Sequence, residues 1–151
     1  MLLALTEDQT LLSRTANGFV AENAPITRLR KLRDSGDERG YSRETYTKMA
    51  ELGWTSLPFS EQDGGLGMGF AELILVTEAM GRTLASEPLI PSVVLAGRAL
   101  ALAGSADQKN EWLAPLIAGD KILALAHTAP RGRYELTRAP FVAERAGAGY
   151  K

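Results

Sequence analysis

The sequence has no cysteine. That excludes disulfides and thiolate metal sites and fits a reducing compartment. It has one histidine, His127, so a cluster of imidazoles cannot hold a metal. It has no excess of either charge: 17 Lys+Arg stand against 18 Asp+Glu, a net charge of −1. The electrostatic footprint of a nucleic-acid or anionic-membrane binder is therefore missing. No apolar run has membrane length, because the longest, Leu89–Ala103, contains Arg98 and is too short to span. The start, MLLALTEDQT, lacks a basic region and turns acidic at once, unlike a signal peptide. These absences lead to the expectation of a cytoplasmic protein with no membrane span and no nucleic acid. Its 151 residues, 45% of them hydrophobic, suffice for one ordinary domain with a real core.

Most of the chain reads as helix. Thr6 followed by Glu7, Asp8 and Gln9 is a capping box, with acidic residues at the positive end of the helix dipole. The helix should run to about Glu22, with Leu12, Ala16, Phe19 and Val20 as its apolar stripe. Pro25 can begin a second helix at its first position. The basic residues Arg28, Arg30, Lys31, Arg33 and Arg39 read as a solvated face, and Ser35-Gly36-Asp37 ends that helix. Ser42 caps a third, with Tyr46, Met49, Ala50 and Leu52 facing inward. Gly53 should stop it in a left-handed conformation, and Trp54–Phe59 should be extended.

The stretch SEQDGGLGMG carries Gly64, Gly65, Gly67 and Gly69. No strand-to-helix unit surrounds it, Gly-Lys-Ser/Thr is absent, and the spacing is not a dinucleotide fingerprint. It reads instead as a tight turn that brings backbone close to a neighbour. Phe70–Leu84 and Leu89–Ala103 follow, both apolar nearly all round and hence central helices, part of whose surface is available to a ligand or another domain. Ser105–Gln108 is a second capping box, opening a helix that Pro115 should kink and Gly119 should end. Then Ile122–Ala126, closed by Pro130, reads as a short buried strand ending in His127 and Thr128. A basic loop follows, then a strand over Phe141–Arg145, a glycine turn, and the start of another strand at Tyr150.

In this order the motifs resemble the N-terminal portion of an acyl-CoA dehydrogenase. ELGWTSLPFSEQDGGLGMGFAELILVTEAMGR is similar to the family's glycine turn and the helix after it. GSADQKNEWLAPLIAGDKILALAHTAP is similar to its next helix, turn and first β-strand, and GAGYK to its glycine-tyrosine hairpin. The resemblance implies a mainly α fold: an orthogonal or up-down bundle of about six helices over residues 1–119, then the first strands of a truncated β-barrel over residues 120–151. It implies FAD as cofactor, an acyl-CoA substrate, electron-transfer flavoprotein or a similar acceptor as partner, and a homo- or hetero-oligomer. Leu125, His127 and Thr128 would lie along the flavin. Glu87, Pro88, Pro91, Ser92 and Leu95 would be nearest the acyl chain. No catalytic residue is expected in this chain, because the family's base sits in its C-terminal bundle; Glu72 and Glu78, on a packed helix, are not candidates.

One segment departs from the family's pattern. Ala129 replaces the usual glutamate, and Tyr134 and Glu135 stand where serine and aspartate are common. The RYEL sequence is more similar to the small-subunit-type pimeloyl-CoA dehydrogenase branch. Without the serine, Arg131 and Arg133, beside Tyr134, are candidates for CoA phosphate; two solvated loop arginines are the equal alternative. The competing readings for the whole chain are a helical protein-interaction module and a non-catalytic subunit of a heteromeric dehydrogenase.

Overall fold

A computed structural model describes residues 4–127, 142–147 and 149–150. Among these, six helices form the body: α1 (Glu7–Asn23), α2 (Ile26–Ser35), α3 (Arg43–Glu51), α4 (Phe70–Thr83), α5 and α6. α5 is wound as a π-helix over Ile90–Gly97 and as an α-helix over Arg98–Ala103. α6 passes from Ala106–Gln108 through a π-turn at Lys109–Leu113 to Ala114–Ile117. The mainly α bundle is as expected.

Local chemistry sets the helix ends. The Thr6 hydroxyl accepts from the Gln9 amide while the Gln9 side chain accepts from Thr6, a complete capping box. Ser105 and Gln108 repeat it at α6, and the Ser42 hydroxyl accepts from the Thr45 amide at α3. Pro25 is the cap of α2 rather than its first residue. Gly36 and Gly53 are left-handed, at φ 65° and 79°.

α1 packs along α4. Ala16 and Val20 meet a core that includes Met49, Leu73, Val76, Leu89, Val93 and Leu116, while the Phe19 ring stands edge-on to Trp54, with centroids 5.0 Å apart. Two expectations are corrected. Leu52 points outward. Trp54–Phe59 is not extended but a chain of turns, with the Ser56 amide donating to Gly53 and the Phe59 amide to Ser56. All six of its residues are buried, so it is a core element without regular structure. Its polar groups are satisfied from afar: the Thr55 hydroxyl donates to the Ile117 carbonyl at 2.7 Å, and Arg98 donates to the Pro58 carbonyl at 2.9 Å.

The π-turns sit beside prolines. Pro115 cannot donate to the Glu111 carbonyl one turn back, and the Lys121 ammonium takes that place at 3.0 Å while lying 4.0 Å from the Trp112 ring centroid.

The expected buried strand Ile122–Ala126 is also corrected. Among the described residues it pairs with no strand, and Ala124–His127 are exposed. The apolar run was a correct sign of burial potential, but a strand is buried only when neighbours flank it. The hairpin is present in shortened form: β1 (Arg145–Ala146) pairs antiparallel with β2 (Gly149–Tyr150), Arg145 opposite Tyr150. Phe141 lies outside the described residues, and Val142–Glu144 join no ladder.

Asp63 and Lys109 join the glycine loop to α6 at 3.1 Å. Lys109 and then the Ser60 hydroxyl hold the Asp63 carboxyl below the usual carboxylate range. A carboxyl depressed in the folded state stabilises above its unfolded pKa, about 4, and loses that contribution as pH falls through its folded value. Asp63→Asn should therefore lower the urea midpoint at pH 6, and the gap to the parent should narrow as the pH of the melt falls below the ordinary carboxylate range.

Candidate functional site

α4 ends at Leu84, whose backbone is left-handed (φ 53°), unusual for a residue with a Cβ. The chain turns there and re-enters as α5. Between the two lies a groove of about 440 Å³, within the range of small-molecule sites. Thr77, Met80, Gly81 and Leu84 form its α4 wall, a stripe at helical spacing. Ala85 and Ser86 form the floor, and Glu87, Pro88, Ile90 and Pro91 the opposite wall. The lining is mostly apolar and contains no lysine or arginine.

Glu87 is the charged lining residue, and its charge is already matched. Its side chain is 0% exposed and receives both Arg28 amino groups, at 2.6 and 2.8 Å, and the Ser42 amide at 3.2 Å. This corrects the reading of Arg28 as part of a solvated face: only 20% of its side chain is exposed. The pair fastens α2 and the start of α3 to the α4–α5 turn, a packing role that leaves Glu87 no free oxygen for proton transfer.

The structure thus brings Glu87, Pro88 and Pro91 to one groove. Ser92 is buried on the other side of the turn, where its hydroxyl accepts from the Leu123 amide at 3.0 Å. Its neighbour there is Tyr46, whose phenol burial pushes up, the Ser92 hydroxyl and Arg43 opposing. Leu95 is partly exposed and does not line the groove. Leu125 and His127 lie on the exit segment after α6, with Leu125 42% exposed and the His127 Nδ1 3.1 Å from the Leu125 carbonyl. Thr128, Arg131, Arg133 and Tyr134 lie outside the described residues. Sequence reasoning missed the whole α4 wall, although its i, i+3, i+4, i+7 spacing from Thr77 was a usable signal.

Neither α4 carboxylate is a poised base. Glu72 receives the Gln9 side chain at 2.8 Å and the Gly69 amide at 2.9 Å, and these bonds hold it below the usual range. Glu78 is exposed and paired with Arg82. For Glu72 this is opposite to the shift that a base for carbon acids needs. The glycine loop offers no anion cradle, because the Gly65 and Gly67 amides donate to the Ser60 and Phe59 carbonyls at 2.8 and 2.7 Å. Among the described residues no helix is long and apolar enough to cross a membrane, and no group of three or more His, Cys, Asp or Glu could hold a metal.

Comparison with known proteins places this architecture. Residues 6–120 match the family described as acyl-CoA dehydrogenase, N-terminal domain. Acyl-CoA dehydrogenase FadE27 of Mycobacterium tuberculosis is 35% identical over 114 residues, which are 76% of this chain and 29% of that protein. Mitochondrial isovaleryl-CoA dehydrogenase of Bos taurus is 30% identical over 97% of this chain and 34% of its own. Among solved structures, the ChsE4-ChsE5 complex of Mycobacterium tuberculosis superposes with a TM-score of 0.80 at 31% identity, over 99% of this chain and 39% of that one. The chain spans about a third of the length of the curated relatives it matches.

Proposed function

Because the chain belongs to the acyl-CoA dehydrogenase family, we propose that it is the helical part of an FAD-dependent enzyme that removes hydrogen from the α and β carbons of an acyl-CoA thioester. The observation that carries this is the α4–α5 groove, open, apolar and free of unmatched charge. Each methylene buried there gains about 0.8 kcal/mol. A neutral acyl chain fits it, and a chain ending in a carboxylate finds no cationic partner in the lining.

FAD, when bound, supplies the hydride acceptor. What this chain offers it is one wall: the exposed residues 124–127, which join no strand among the described residues and include Leu125 and His127, with Thr128 next in sequence. Residues 120–151 then begin the flavin domain, and Arg131, Arg133 and Tyr134, outside the described residues, are the candidates for CoA phosphate. The described residues hold no carboxylate suited to take the α-proton, so the base belongs elsewhere in the enzyme. The reduced cofactor needs an acceptor such as electron-transfer flavoprotein. The ChsE4-ChsE5 neighbour is a complex of two named components, which supports an oligomeric assembly; the compartment proposed is the cytoplasm.

Two results are expected. The 151-residue chain purified alone should be colourless and bind FAD weakly or not at all; a yellow, stoichiometrically flavinylated chain would overturn the division of labour. Gly81 lines the groove and a Cβ there meets nothing within 4 Å, so Gly81→Phe places its ring from a position with room for the first carbon. In the whole enzyme it should raise KM at least tenfold for long acyl-CoA substrates and little for short ones. An equal effect at every chain length would move the acyl site elsewhere.

A further inference from the structure

The exit from α6 is clamped at successive points. The Arg43 guanidinium donates to the Gly119 and Asp120 carbonyls at 2.6 and 2.9 Å, and Lys121 reaches back to Glu111. The last clamp is the Leu123 amide on the Ser92 hydroxyl, at 3.0 Å. Ala124–His127, which follow, are exposed. Ser92 itself is fully buried and follows Pro91, a wall of the groove. One turn of α5 therefore carries both the groove wall and the final hold on the exit segment.

We propose that Ser92 is a positioning residue: its hydroxyl fixes the point from which residues 124–127 project, and so the placement of Leu125 and His127. An extended chain advances at most about 3.6 Å per residue, so a tether at Leu123 confines Leu125 to within about 7 Å of it. The functional consequence rests on the reading above, in which that segment borders the flavin. The tether itself does not. Ser92 is thereby moved from a contact of the acyl chain to a support of the cofactor wall. The hydroxyl matters because it is the acceptor that the Leu123 amide finds among the described residues, at the edge of the core.

The test is amide hydrogen exchange on the 151-residue chain. Ser92→Ala should speed exchange at Leu123 at least tenfold while amides in α1 and α4 keep their protection. Ser92→Cys, close in volume but a much weaker acceptor, should behave like the alanine form, and Ser92→Thr, which keeps the hydroxyl, should restore protection. Unchanged exchange at Leu123 in the alanine and cysteine forms would overturn the tether. So would a loss spread equally over α1 and α4, which would make Ser92 an ordinary packing residue. Neither flavin nor thioester is present, so failure here leaves the functional reading standing, and failure of that reading leaves the tether standing.

Discussion

Arg28→Ala is expected to destabilise the chain by about 3 kcal/mol, because removing one partner of a buried ion pair leaves the other charge uncompensated. Glu87 would retain the Ser42 amide but lose both guanidinium bonds, with its side chain fully out of water. Small domains have about 5–15 kcal/mol in total, so this is a large share. The effect should appear as a lower urea midpoint with an unchanged slope. Changing both residues, Arg28→Met with Glu87→Gln, should recover more than half of the loss, because the main penalty is the unpaired charge rather than the absence of attraction. A single-variant loss below about 1 kcal/mol would mean that the pair behaves as a surface bridge.

Adjacent glycines in the loop should respond very differently. A Cβ on Gly65 would lie 2.3 Å from the Phe59 carbonyl oxygen and 2.5 Å from its carbonyl carbon. Those are backbone atoms, and Phe59 is fully buried, so the strain cannot be relieved by a rotamer change. The same displacement would weaken the bonds from the Gly65 and Gly67 amides. Gly65→Ala should cost about 3 kcal/mol or more, the upper end for overpacking. Gly64 has φ 84° but open space around its would-be Cβ, so Gly64→Ala should cost only about 1 kcal/mol, the left-handed penalty alone. Paired urea melts check the order; equal losses would remove the close-approach explanation of the loop.

What was legible in the sequence was mainly local. The caps at Thr6, Ser42 and Ser105 work through residues three positions away, so their chemistry is written in short strings. Gly65 was legible for a similar reason: a glycine cluster without a phosphate motif already implied close backbone contact. The failures involve distant partners. Arg28 looked solvated because Glu87 lies 59 residues away, and the bond between Ser92 and Leu123 was not legible because 31 residues separate them. Trp54–Phe59 carries its proline and apolar residues like an extended segment, but its turns depend on Gly53, on the Arg98 side chain from α5 and on the Ile117 carbonyl of α6. Ile122–Ala126 has the composition of a buried strand, and composition alone does not provide the neighbouring strands that bury one. The groove was half legible, in Glu87, Pro88 and Pro91; its α4 wall was absorbed into what read as all-round core packing.

These residues have a common consequence for function. The helical body pairs its buried Glu87 with Arg28, closes its glycine loop on itself, and leaves open an apolar groove and a tethered, exposed segment. The most direct measurement is the absorbance spectrum of the full product of the gene that encodes this chain, taken before and after anaerobic addition of acyl-CoA thioesters of graded length. The expected result is a bound flavin whose oxidised absorption is bleached by thioesters with neutral chains that fit the α4–α5 groove. A product without flavin, or a flavin that no acyl-CoA bleaches, would contradict the assignment.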